Sequence, residues 1–351
     1  MFTRQSKSRK SVLIGVVAVL FSGSLLLGGL TAYAGPAPAP KFSWDMPTNI
    51  APGDEYFLPI LRWMVDEVGK RTNGDLKIHF RYLGELGVPD IELPRMLKQG
   101  TLETTFVPVA MFLDLPWASV DILPFLVRDA DQGAAVAKAL RPLFIPWFRE
   151  SGYEFLPMNY LNFSGCLWSN KPIPTIASMK GIKVRTTGPH IPKLAAEWGM
   201  EPTTVDPTEL YLAMQRGVVD AAFAGHYWGM TVKMYEVAKY VNLWNYCYWH
   251  TTWVINSQQW NKLPAKWQKM IIEDIAPEIS KRAHAAQIRQ DKENVERDKQ
   301  RGLTVIQPSA DELTKAADGG LRVAQKWAEK VGDKGHKSLA AMLEALKLPR
   351  K

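Results

Sequence analysis

After residue 34 the sequence has no apolar run long enough to cross a bilayer, and its 351 residues include only two cysteines and six histidines. A polytopic membrane protein needs repeated spans of about 20 apolar residues, so that class is excluded. Neither Cys-X-X-Cys nor a Cys/His spacing typical of zinc sites occurs. Gly-X-Ser-X-Gly, His-Glu-X-X-His, a phosphate-binding loop and Gly-X-Gly-X-X-Gly are missing too, and no pair of carboxylates stands out. No catalytic residue, metal ligand or cofactor is therefore expected; a hydrolase lacking any signature is kept as the weakest alternative. The formal charge of +8 has no concentrated basic patch of the kind that nucleic acid requires, so no nucleic-acid partner is expected.

Four of the cations, Arg4, Lys7, Arg9 and Lys10, precede an apolar stretch from Val12 to about Leu30, and Ala32-Tyr33-Ala34 follows. This pattern predicts a cleaved secretory signal over residues 1–34 and export to the periplasm. A retained membrane anchor is the competing reading; the Gly and Ser interruptions and the Ala-X-Ala site favour cleavage. Removal takes four cations and no anion, lowering the formal charge to +4. Residues 35–40, Gly-Pro-Ala-Pro-Ala-Pro, read as an extended tether. Cys166 and Cys247 lie in β-like segments. In an oxidising compartment they could be a disulfide or two buried thiols, and the sequence leaves both open.

The next residues alternate between strand and helix signals. Residues 41–44 read as a strand and 46–49 as a loop. Apolar residues at Phe57, Leu61, Met64, Val65 and Val68 predict a helix over 54–72, stopped by Asn73-Gly74. A strand is expected over 76–82, a turn over 83–87, a helix over 90–99 and a buried strand over 104–107. A loop at 118–125 leads to a helix over 134–150, and 153–168 reads as one long strand. Later come a strand over 249–255, an unusually long helix over 263–299, a strand over 303–306 and helices over 311–346.

Residues 181–237 carry the most functional information. Ile182-Lys183-Val184-Arg185 is a strand ending in a cation, followed by a turn at Thr187-Gly188-Pro189. Helix, a short strand near Val205, a helix over 207–216 and a strand over 218–221 complete a β-α-β-α-β run. Ligands of open α/β sheets collect beyond the carboxyl ends of the strands, and Arg185 ends one there. Arginine suits bidentate capture of a carboxylate.

Several spaced elements of this run agree with one family. They are Met179-Lys180-Gly181, Arg185, Trp198-Gly199-Met200-Glu201-Pro202, Pro207-Thr208-Glu209-Leu210-Tyr211, Ala213-Met214-Gln215-Arg216-Gly217, Val219-Asp220 and Tyr235-Glu236-Val237. The chain resembles the extracytoplasmic solute-binding receptors of TRAP-type transporters, from about Lys41 to about Leu313. The resemblance implies an α/β, two-lobe periplasmic binding protein fold with crossing strands and a long helix backing both lobes. Residues 41–160 plus 252–295 would form lobe I, and 161–251 plus 296–351 lobe II. It also implies a monomer that binds a small organic acid and delivers it to TRAP membrane permease subunits.

In the resembled family the arginine at the place of Arg185 forms a salt bridge with the ligand carboxylate. The chain departs from the family elsewhere: Gly165 stands where many relatives have a second arginine, and Phe223-Ala224 where many have Glu-Asn. The Glu-Trp pair of metal-dependent keto-acid receptors is also absent. One carboxylate plus aromatic or apolar bulk is therefore the expected ligand. Phe223, His226, Tyr227 and Trp228 are candidate lining residues, with core packing as the alternative. Asn162 and Trp168 on the crossing strand are candidates on the same terms. Thr48 and Pro108, after first-lobe strands, are candidate polar or backbone contacts, or ordinary turn residues. Glu209 and Tyr211 read as structural. A periplasmic sensory protein with the same fold is the alternative function.

Overall fold

Asp54 fixes the turn that leads into the first helix: its carboxylate accepts from the N–H groups of Tyr56 (2.9 Å) and Phe57 (2.6 Å), as aspartate does in turns. The helix, Leu58–Arg71, buries Leu58, Leu61, Met64 and Val68. Asn73 and Gly74 at φ 53° and 79° then reverse the chain, as their sequence predicts. The computed structural model describes residues 39–156, 160–186, 188–206 and 209–348, with backbone alone for 160–164. The predicted signal segment and most of the tether lie outside the described residues, as do Thr187, Pro207 and Thr208.

The strands are β1 (Phe42–Thr48), β2 (Leu76–Tyr82), β3 (Thr104–Pro108), β4 (Tyr153–Phe155), β5 (Tyr160–Ser169), β6 (Lys183–Arg185), β7 (Glu201–Thr203), β8 (Ala221–Gly225), β9 (Tyr240–Asn242), β10 (Tyr248–Asn256) and β11 (Thr304–Ile306). They run in the order β2-β1-β3-β10-β5-β8-β6-β7, with β4 beside β10, β9 beside β5 and β11 beside β9. Two sheets are joined through β5. Its first half pairs with β10 in the first sheet, and from Gly165 onward it pairs with β8 and β9 in the second. The chain thus crosses between sheets, as the resemblance implies.

The turn expected over 83–87 is one short helical turn, Leu83–Leu86, the helix expected from 134 starts at Ala130, and four strand expectations shift. The first strand extends through residues expected as a loop, because β1 stays in parallel register with β2 as far as Thr48↔Tyr82. Pro47 has no N–H for a ladder, and its carbonyl accepts from the Thr105 hydroxyl at 3.0 Å. The strand expected near Val205 is Glu201–Thr203, because the Gly181 N–H bond to the Gly199 carbonyl (2.7 Å) aligns Lys183 with Glu201. The strand expected over 218–221 begins only at Ala221. The long strand over 153–168 is two strands, β4 and β5, with residues 157–159 between them outside the described residues.

The long helix is present. Ala265–Met270 passes through one π-helical turn, Ile271–Ile275, into Ala276–Gln300. Its inner face buries Ile271, Ile275, Ile279 and Ala283 against the first core and then Gln287, Gln290, Asn294 and Asp298. That polar second half excludes a coiled coil, whose seam needs apolar residues there. Cys166 and Cys247 are free thiols, both buried. Of the two readings left open by the sequence, the structure has the thiols.

Candidate functional site

Arg185 ends β6 and is buried, at 7% exposure. Its guanidinium donates through Nη1 to the Phe223 carbonyl (2.9 Å) and through Nε to the Val205 carbonyl (3.4 Å). The face of Trp228 lies 6.0 Å from it, the outer limit of a cation–π contact. Burial pushes the Arg185 pKa down, while Tyr246 and Asp206 favour its charge. A cation taken from water and held by neutral carbonyl dipoles gains greatly from an anion.

Sequence reasoning missed Tyr246. Its ring lies directly over Gly165: a Cβ placed on that glycine would come within 2.6 Å of Tyr246 Cδ1 and 2.8 Å of Cζ. The backbones are clamped as well, with Gly165 N–H donating to the Cys247 carbonyl (2.9 Å) and Tyr246 N–H to the Gly165 carbonyl (3.1 Å). Tyr246 is fully buried and packs edge-on against Phe223 at 5.1 Å. At this point of β5 the chain has a glycine covered by a tyrosine from the segment before β10. Asn245, at φ 44°, makes the bend that delivers it. An asparagine inside the aromatic run Trp244-Asn245-Tyr246-Cys247-Tyr248-Trp249 was the available signal. Ile122, Gly188, Pro189, His190 and Trp249 surround Tyr246 at a cavity of about 10 Å³, room for about one water.

The other candidates separate. Trp228 joins Arg185, as does Phe223, though only through its carbonyl, because the Phe223 ring is core beneath Tyr246. Trp168 is fully buried in the second sheet's core, against Gly229, where a Cβ would come within 2.5 Å of its Nε1. It packs rather than lines. His226 is likewise buried, its Nε2 2.5 Å from Asp298 Oδ2, tying the second sheet to the long helix. Tyr227 reaches the first core, edge-on to Tyr56 at 5.8 Å. Tyr56 in turn donates to Glu293 Oε2 of the long helix (2.7 Å), and Arg297 pairs with Glu55. Both contacts have one cause: the short helix His226–Thr231 faces protein on the sides that carry His226 and Tyr227.

Thr48 and Pro108 end the neighbouring strands β1 and β3 and are buried. The Thr48 hydroxyl accepts from Ile50 N–H at 3.2 Å, so it holds its own turn. Asn162 lies in β5; its side chain is outside the described residues. Tyr211 donates to Glu236 Oε2 at 2.9 Å, which links two of the quoted motifs and fits the structural reading. Among the described residues, no group of three His, Cys, Asp or Glu side chains is arranged to hold a metal.

Two sheets joined by a crossing strand, a long helix along them and a buried cation at a strand's carboxyl end define the periplasmic binding protein fold. Two solved structures share it. One is a TRAP periplasmic solute-binding protein of Ochrobactrum anthropi with its C-terminus bound in the ligand-binding pocket (TM-score 0.80, 20% identity, 88% of this chain and 95% of that one). The other is DctP6 of Bordetella pertussis, an extracytoplasmic solute receptor binding pyroglutamic acid (TM-score 0.76, 22% identity, 86% and 99%). A solute-binding protein of Verminephrobacter eiseniae is 28% identical over 245 residues, 68% of this chain and 72% of that protein. The profile of the DctP family, bacterial extracellular solute-binding protein family 7, matches residues 50–331. The chain belongs to this family of TRAP-type extracytoplasmic receptors, which bind solutes and are not enzymes.

Proposed function

We propose that the protein is a periplasmic receptor for a small organic acid with one carboxylate and a cyclic or apolar body. Arg185 forms the salt bridge with that carboxylate. The observation that carries the reading is the pairing of a buried Arg185, held by neutral carbonyls, with Tyr246 over Gly165. One cation is offered, and an aromatic fills the room that a second cation would need. The pyroglutamate bound by the Bordetella relative, a cyclic monocarboxylate, supports this ligand class. Residues 41–160 plus 252–295 and 161–251 plus 296–351 act as two lobes that close by bending at the crossing strands. Closure removes water from the ion pair and strengthens it. The loaded receptor then docks on TRAP permease subunits, after export directed by residues 1–34.

Isothermal titration of the protein from Gly35 with pyroglutamate, branched and aromatic monocarboxylates, and succinate tests this. A monocarboxylate should bind tightest, and Arg185→Ala should weaken it by at least about thirtyfold, the loss typical of a desolvated charge pair. Preference for succinate, or an Arg185→Ala variant that binds as well as wild type, refutes the reading.

A further inference from the structure

A second cavity lies beyond the one at Tyr246, a groove of about 500 Å³ between the segment after β3 and the helices Ile191–Glu197 and Ala310–Val331. Ile122, Pro189 and His190 line both cavities and so stand between them. The groove has two kinds of wall. Phe112, Leu113, Val323 and Trp327 make it apolar. Leu113 is 65% exposed, the most exposed large apolar side chain among the described residues. Its rim carries Lys193, Lys326 and Lys330, none of which has a salt bridge among the described residues. The single carboxylate on the lining, Glu197, faces Arg322 at 3.4 Å.

The chain's own periodicity builds this combination. Val323, Trp327 and Val331 recur at four-residue spacing on Ala310–Val331, and Lys326 and Lys330 sit one position before the last two, so an apolar stripe runs beside a cationic one. The Trp327 indole donates to Ser119 Oγ at 2.9 Å, which holds the floor in place across the groove. An exposed apolar concavity marks a binding surface, and three unopposed ammonium groups at its rim select an anionic head. A macromolecular partner would need a far larger face, about 800 Å² per side, whereas a groove of this volume is the size of a small-molecule pocket.

We infer that this groove is a second binding site, for a medium-chain carboxylate whose tail enters between Leu113 and Trp327 while its head meets Lys193, Lys326 and Lys330. It is independent of the Arg185 site and of the function proposed for it. The test titrates hexanoate, octanoate and decanoate into the whole chain from Gly35 carrying Arg185→Ala. One saturable equivalent is expected, tightening about fourfold per added methylene while the chain remains within the groove. Lys326→Gln with Lys330→Gln should weaken it roughly fivefold, and Leu113→Asp, at an exposed position, should abolish it without lowering the melting temperature. Affinity that ignores chain length, or that is unchanged in both variants, overturns the inference. So does alkanoate binding seen in wild type and lost in Arg185→Ala, which would place the alkanoate at Arg185 and leave the proposed receptor function standing.

Discussion

Replacing Gly165 by alanine sets two effects of opposite sign against each other. In a strand, where its φ is not positive, alanine stabilises by roughly 0.4–1 kcal/mol through a less free unfolded chain. Against that, the new methyl would come within 2.6 Å of Tyr246 Cδ1. The ring has little room to retreat, being fully buried against Phe223 and tied by its backbone to Gly165 itself. Overpacking of this kind costs about 1–3 kcal/mol, so the net change should be a loss of about 1–2 kcal/mol. With an unfolding entropy near 0.65 kcal/mol/K for a chain of this length, that is a fall of roughly 2–3 °C. Tyr246→Ala alone should cost about 3–5 kcal/mol as a large-to-small change. In that background Gly165→Ala meets no ring, and its sign should reverse to a gain of roughly 0.4–1 kcal/mol. Urea unfolding of the four proteins, followed by circular dichroism, gives the coupling, expected near 2 kcal/mol. Equal costs of Gly165→Ala in the two backgrounds would show that the ring does not occupy this space. Gly165→Arg, which puts a far larger side chain under the same ring, should unfold more readily still unless Tyr246 is trimmed.

Three further outcomes follow from buried polar groups. Burial pushes Asp121 up to about 8 and His250 down to about 4, with His250 Nδ1 3.9 Å from Asp121 Oδ2. The Asp121 contribution is full below its ordinary value of 3.8 and is lost as pH rises through 8. The His250 contribution is full above 6.5 and is lost as pH falls toward 4. The two cancel between pH 4 and 6.5; from 6.5 to 8 the folded chain holds one extra proton, so stability should fall by about 2 kcal/mol. Asp121→Asn should flatten that slope in urea titrations at each pH, and an unchanged slope would rule the pair out. His226 and Asp298 are 4% and 0% exposed, so His226→Leu alone should cost roughly 3–5 kcal/mol and the double replacement by leucine less; a double variant worse than the single one contradicts this. Burial raises both thiols well above their ordinary range, so Cys166 and Cys247 should react with a disulfide reagent only after denaturant is added; prompt modification of the native chain would refute their burial.

Much of the fold was legible in order of residues. The 3–4 spacing from Phe57 to Val68, the stop at Asn73-Gly74 and the alternation over 76–82 are local signals, and the helices and strands they specify are present. So is Arg185 at the end of its strand, because a strand followed by a turn needs no distant partner to be recognised. The misplaced strands at Val205 and Val218 have the opposite character. Their limits come from register against β6, which belongs to pairing between segments and leaves no mark on either one alone.

The candidate site divides along the same line. Residue types and spacing were enough to single out a cation at a strand end and an aromatic run after β8. They could not say which way each aromatic faces, since a helix of six residues presents every side to something. Packing turned His226 toward Asp298 and Tyr227 toward Tyr56, and left Trp228 beside the guanidinium. Tyr246 lies 81 positions from Gly165, and the two meet because β10, which begins two residues after Tyr246, pairs with β5 at Tyr248↔Ser164. A glycine announces in sequence that space is free. Which side chain takes that space depends on chain crossing, and close packing then allows one occupant.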